Sequence, residues 1–361
     1  MIYRSLVPAD PRLPPLDALR PHLGIGDGAP PRKVDPGYGR AVAEILRRAR
    51  ALDLPGTPLE RLILIGDARL SDGAAFAHLC EGGGWAGRAF IGRDECGAPL
   101  RLKTEGFVCS ANRWSALDEY LDRLEKRERF ALDERTVLVV DIDKTSVGAR
   151  GRNDRPIDGA RVEAMRRVAD GFRIRNFSAA AFQATHDALK HTEFHAFTAD
   201  NQDCLAYVCL AVGAGLYSPE GLLHEVRRGD LRCFRDFIER VHDRRDLLLG
   251  AGLDRIHDDV RSGALAGDPT PFKAFRLEEY RATAERFCAL PAGDLAAALE
   301  RRIFVTEEVR RAAHRLRERG VLLFGLSDKP DEASFPTPDL ARSGLMPLHR
   351  LETLSVGERR A

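Results

Sequence analysis

Along the first 140 residues, short apolar runs alternate with stretches of helical periodicity. Val42, Ile45, Leu46, Ala49 and Leu52 recur at intervals of three and four, which keeps them on one helix face, and Pro55, Gly56 and Pro58 close that helix. Leu62-Ile-Leu-Ile65 is short enough to be a buried strand and ends at Gly66-Asp67. A helix through Phe76 and Leu79 runs into Gly82-Gly83-Gly84, and Arg88–Gly92 reads as a further strand. Those glycines follow a helix, whereas a phosphate-cradling glycine fingerprint follows a strand, so they read as a turn. An amphipathic helix from about Ser115 to Glu128 leads to Thr136-Val-Leu-Val-Val140, a β-branched run of the kind buried on both faces of a parallel sheet.

From about residue 150 to 300 the pattern is mostly helical. Val162, Met165 and Val168 share one face; Ser218-Pro219 open a helix carrying Leu222, Leu223 and Val226; Phe234, Phe237, Ile238 and Val241 mark another. The α/β rhythm then resumes with a helix capped by Thr306, carrying Val309, Ala312, Ala313 and Leu316 inward and stopped by Gly320. Strand Val321–Phe324 follows and delivers Ser327. His349–Val356 is expected to add an edge strand. Residues 1–37, rich in Pro and Gly, read as an extended leader, packed on a surface or partly disordered.

The chain has 361 residues, with 56 basic and 55 acidic ones and no block of one sign, so neither a nucleic-acid arm nor a polybasic membrane anchor is expected. No apolar run reaches bilayer length and the amino terminus lacks a signal peptide's apolar stretch, so the expected location is the cytoplasm. The seven cysteines (80, 96, 109, 204, 209, 233 and 288) are irregularly spaced, without a C-x-x-C, which argues against a disulfide frame or a zinc ribbon. Seven lysines stand among 49 arginines, at positions 33, 103, 126, 144, 190, 273 and 329; a compact ammonium is not equivalent to a planar fork, so each draws attention.

The candidate chemistry lies at strand ends. Asp141 and Asp143 stand one residue apart at the carboxyl end of a buried strand, where open α/β sheets place ligands. One carboxylate can attack phosphorus while the other gives a proton to the leaving oxygen and later takes one from water. The negative charge gathered there calls for a divalent cation and a lysine, and Asp67 and Asp72 are candidates to complete the metal site. Taken alone, Asp-x-Asp after a strand also serves as a loop entry or helix cap.

Asp141-Ile-Asp143-Lys-Thr145 resembles the D-x-D-x-T signature of the haloacid dehalogenase superfamily. That resemblance implies a three-layer, Rossmann-like parallel-sheet core with Mg²⁺ as cofactor. Asp141 would be the nucleophile, Asp143 the acid/base that also serves the metal, and Thr145 a support for the loop. Leu322–Ser327 is similar to the second motif, with Ser327 on the phosphate. Gly66-Asp67-Ala-Arg-Leu-Ser-Asp72 matches the fourth, supplying the remaining metal carboxylates, and Lys33 fits the third, with Lys329 its rival. The order is rotated: third, fourth, first, second. Such a permutation is physically mild where termini lie close. Here the original termini would be joined through about residues 93–136. An alternative takes the acids of Ser327-Asp328-Lys-Pro-Asp331-Glu332 as the metal ligands in place of Asp67 and Asp72.

The implied organisation is a leader at 1–32, core at 33–149, a mainly helical cap inserted after the first motif at 150–302, and core again at 303–361. The resemblance implies hydrolysis of a small phosphorylated metabolite through an aspartyl-phosphate, with a phosphomutase or a catalytically idle binding protein as alternatives. Arg150, Arg152, Lys273 and Arg276 are candidates for gripping an anionic substrate. His186, His191 and His195 with Glu193 and Asp200 form the densest histidine cluster, read as substrate contact ahead of a metal site.

Overall fold

The computed structural model describes residues 1–199, 201–287 and 294–358; Asp200 and Cys288 lie outside them. The chain forms two units. The first comprises residues 1–159, 285–334 and 349–361, and the second residues 160–284 and 335–348.

Within the first unit, the described residues form a six-stranded, mainly parallel sheet. The strands are β1 (Arg61–Gly66), β2 (Ala86–Gly92), β3 (Leu102–Glu105), β4 (Val108–Ala111), β5 (Thr136–Asp141) and, after the two-residue β6 (Val305–Thr306), β7 (Leu322–Leu326). Their spatial order is β3-β4-β2-β1-β5-β7, with only the β3–β4 hairpin antiparallel. β1 and β5 lie side by side at the centre, Ile65 opposite Val140.

Alternation explains why both are apolar throughout. Leu62, Leu64, Val137 and Val139 pack on one face beneath helices Leu16–Leu23, Pro36–Asp53 and Arg69–Gly83. Ile63, Ile65, Leu138 and Val140 pack on the other beneath Ala116–Lys126 and Glu307–Arg317. Each of these strand side chains is 4% exposed or less, and burial of one such side chain stabilises by roughly 1.5–3 kcal/mol.

Three expectations are corrected here. Residues 1–32 are not a surface leader: Ile2, Leu6, Leu13, Leu16 and Leu19 are buried in the core. Ile2 also covers the outer edge of β7, its amide donating to Gly325 O (2.9 Å) and its carbonyl accepting from Ser327 N (3.0 Å), which satisfies groups a bare edge strand would leave open. The carboxyl-terminal stretch does not join the main sheet. His349 and Arg350 lie in a 3₁₀ turn, and β8 (Ser355–Val356) pairs in parallel with β6 in a separate two-stranded sheet. The inserted region is narrower than 150–302, since residues 150–159 and 285–302 belong to the first unit, whereas residues 335–348 belong to the second.

The second unit is helical. Its central helix Gln202–Gly213 is buried on every side, from Asp203 through Gly213, and around it pack side chains such as Phe182, Phe237, Ile256, Phe272 and Phe275.

Candidate functional site

Residues far apart in sequence meet at the carboxyl ends of β1, β5 and β7. Asp141 is the last residue of β5, and Asp67 follows the last residue of β1. Ser327 follows β7, with Ile142 N donating to Leu326 O (3.0 Å). Carboxylate oxygens of Asp67, Asp72 and Asp141 lie within 4.8 Å of one another.

Lys33 reaches this cluster from the loop before helix Pro36–Asp53. Its Nζ donates to Asp141 Oδ1 (2.6 Å) and Asp72 Oδ1 (2.8 Å), and the residue is only 4% exposed. Lys329 is also buried, and its amide donates to Ser327 Oγ (3.1 Å).

Asp72 has a second task. Its Oδ2 accepts from the amides of Asp67 and Ala68, both at 3.0 Å, so it folds the β1 turn back onto the first turn of the helix Arg69–Gly83. Gly66 is required at the start of this turn, because a Cβ there would stand 2.4 Å from Asp72 Oδ2. Asp67 is held by the Arg150 guanidinium and, at 3.5 Å, by the Thr145 hydroxyl. The β5 loop is fixed through backbone atoms. Ser146 Oγ donates to Asp141 O (2.9 Å), and Thr306 Oγ1 donates to the Thr145 carbonyl in place of capping its own helix.

Burial pushes the Asp141 carboxyl well above the ordinary carboxylate range; Lys33 works against that shift, and Asp72 and Asp67 add to it. Burial also raises Asp67, against the opposing pull of Arg150. For Lys33, burial disfavours the ammonium, but Asp141 and Asp72 outweigh it and hold the charged form. Three acidic side chains thus face two cations, Lys33 and Arg150.

The donor set fits a metal ion. It consists of oxygen alone, suited to a hard divalent cation, and Asp141 Oδ2 carries no hydrogen bond that a ligand bond would break. Asp143 stands apart from this cluster, half-buried, with no hydrogen bond or ion pair; its charge is felt by Tyr3, whose hydroxyl contacts His349 Nδ1 (3.2 Å). Of the alternative metal acids, Asp331 is instead engaged by Ser5, whose hydroxyl donates to its Oδ2 (2.5 Å), while Asp328 lies close enough to Lys33 to act on its charge.

The four candidate substrate cations have other partners. Arg150 holds Asp67. Arg152 is 11% exposed at its side chain and bridges Asp94 (2.7 Å) to Glu308 (3.0 Å), which makes it a structural bolt rather than a free grip. Lys273 pairs with Asp268 (3.0 Å), and Arg276 is buried between Asp203 and Glu279, both within the second unit. Among the described residues the histidine cluster does not form a metal-competent group: His186 stacks on Phe182, and Glu193 pairs with Arg227. A different pair, His242 and His257, meets at 3.1 Å and was not singled out from the sequence.

No protein-family model, curated protein or solved structure matches this chain. What the site does therefore rests on its own geometry.

Proposed function

We propose that the chain is a Mg²⁺-dependent phosphatase acting on a small phosphorylated metabolite, built on the plan of the haloacid dehalogenase superfamily with its motifs in rotated order. The observation that carries this reading is the convergence of Asp67, Asp72 and Asp141 on one point with Lys33 against two of them.

In this reading Asp141 attacks phosphorus, a new P–O bond forms to its carboxylate, and the ester P–O bond breaks. Asp143 gives a proton to the departing oxygen. Water then attacks the phosphoryl group, yields its proton to Asp143, and the P–O bond to Asp141 breaks to release phosphate. Lys33 keeps Asp141 oriented and balances charge on the transferring oxygens, with Ser327 as a further phosphate contact. Asp67, Asp72 and Asp141 would hold Mg²⁺, which would supply the remaining positive charge for the transferring phosphoryl group. The six described cysteines, all free, fit a reducing, cytoplasmic setting.

The test is Mg²⁺-dependent release of phosphate from phenyl phosphate and from a panel of metabolite phosphates. Activity that disappears with EDTA and in Asp141→Asn supports the reading. A purified, folded protein that releases no phosphate from any panel member in Mg²⁺ sinks it, leaving the idle binding protein.

A further inference from the structure

Beside Asp67 opens a cavity of about 460 Å³ within the first unit, lined also by Arg69, Arg93, Arg101, Lys103 and Glu95. Four cations come from three separate pieces of chain: the start of the helix after β1, the end of β2, and the β3 arm of the hairpin. The hairpin is braced for this. Asn112, 6% exposed, accepts from Arg101 N at 2.7 Å and donates to Pro99 O at 2.8 Å, tying the loop before β3 to the end of β4.

The charges do not cancel. Glu95 pairs with Arg93 and with Arg101 (3.2 Å), and Glu105 pairs with Arg69 and Lys103 (2.5 Å), so, with Asp67 answered by Arg150, two carboxylates answer four cations. Exposed pairs of this kind are worth little and exchange partners readily. A structural reason for the charges also exists, since lysines on an edge strand discourage edge-to-edge pairing. Edge protection alone would not gather cations from a helix start and a second strand end around one cavity.

Resting on the phosphatase reading, we infer that this cavity is an anion subsite, and that the substrate is a small phosphorylated compound carrying a second anionic group, carboxylate or phosphate. The phosphoryl group would lie at Asp141, whose carboxylate is within 4.8 Å of that of Asp67, and the second anion would be gripped by the guanidinium forks and Lys103 beyond Asp67.

Non-hydrolysable probes separate this proposal from the catalytic one. Titration calorimetry in Mg²⁺ compares phenylphosphonate with 4-carboxyphenylphosphonate and 1,4-phenylenebisphosphonate, for the wild type and the double variant Arg101→Gln/Lys103→Gln. Both substituted side chains are more than half exposed, so the fold is not at risk. The expected result is that at least one doubly anionic probe binds the wild type about tenfold more tightly than phenylphosphonate, with the preference lost in the double variant. Whichever of the two is preferred tells a carboxylate from a second phosphate. Equal binding of all three probes by the wild type, or a preference that survives the double substitution, overturns the subsite. Hydrolysis of phenyl phosphate without any such preference removes the subsite and leaves the phosphatase standing. A preference without hydrolysis of any phosphate ester does the reverse.

Discussion

Replacing Lys33 by Met keeps the length and apolar stem of the side chain and removes the ammonium that contacts Asp141 at 2.6 Å and Asp72 at 2.8 Å. What remains is a buried trio of carboxylates, with Arg150 still paired to Asp67. Removing one partner of a buried ion pair costs about 3–5 kcal/mol, because the other charge is left without compensation. Asp141 is already pushed toward its protonated form and can take up a proton, so the expected loss in EDTA is near the lower end, about 3 kcal/mol. Mg²⁺ at one hundred times its dissociation constant stabilises by about 2.7 kcal/mol, and the variant, freed of the ammonium that repels the ion, is expected to gain more than the wild type, which narrows the difference. The assay is urea unfolding followed by the fluorescence of Trp85 and Trp114. Both are buried in the first unit and so report on the unit that carries the site. A variant within about 0.5 kcal/mol of the wild type in EDTA, the range of an ordinary surface substitution, refutes the electrostatic account, as does a loss that Mg²⁺ leaves untouched.

Gly66→Ala places a methyl group against Asp72 Oδ2 and is expected to cost about 1–3 kcal/mol while loosening the turn that aims Asp67; unchanged unfolding and unchanged phosphate release would contradict that. Ile2→Ala keeps the backbone pairing on the β7 edge but removes a core side chain 1% exposed, with an expected loss of about 2–4 kcal/mol by urea unfolding, against none for a surface leader. His257 is held near pKa 4 by burial first, then by His242, Arg245 and Arg261, with Asp258 opposing; Tyr207 OH faces its Nδ1 at 2.6 Å. The unfolded ring titrates near 6.5, so stability from this group is whole above that pH and falls as pH drops from 6.5 to 4, by up to about 3 kcal/mol. An NMR titration of the ring that gives a midpoint near 6.5 would remove the effect.

The elements legible from sequence were those whose burial repeats along the chain. β1 and β5 announce themselves because both faces are covered, and helix Ala116–Lys126 because its inward positions keep helical spacing. The β3–β4 hairpin left no such mark. Lys103, Thr104 and Glu105 are exposed, so no apolar rhythm accompanies the strand, and its existence depends on pairing Leu102 with Ala111. The amino-terminal segment was misread for a related reason. Leu16 and Leu19 keep helical spacing, but Ile2 and Leu6 lie outside any helix or long strand, and Ile2 is ordered by a strand more than 300 residues away. Charge partners are equally invisible. Arg152 looks like an available cation until Asp94 and Glu308, 58 and 156 residues distant, are brought to it.

The meeting of Asp67, Asp72 and Asp141, by contrast, has a physical reason in the sheet itself. In a parallel sheet the carboxyl ends of neighbouring strands lie along one edge, whatever the sequence in which the chain visits them. β1 and β5 are neighbours in register, Ile65 beside Val140, so the next residues out, Gly66-Asp67 on one strand and Asp141 on the other, must converge. Adjacency is set by which strands are apolar enough to occupy the centre, and both are. Lys33 needs only a loop on the same edge, which the helix Pro36–Asp53, packed against the face of β1, provides. Chain order thus constrains where the connections run, while strand burial decides which carboxylates meet.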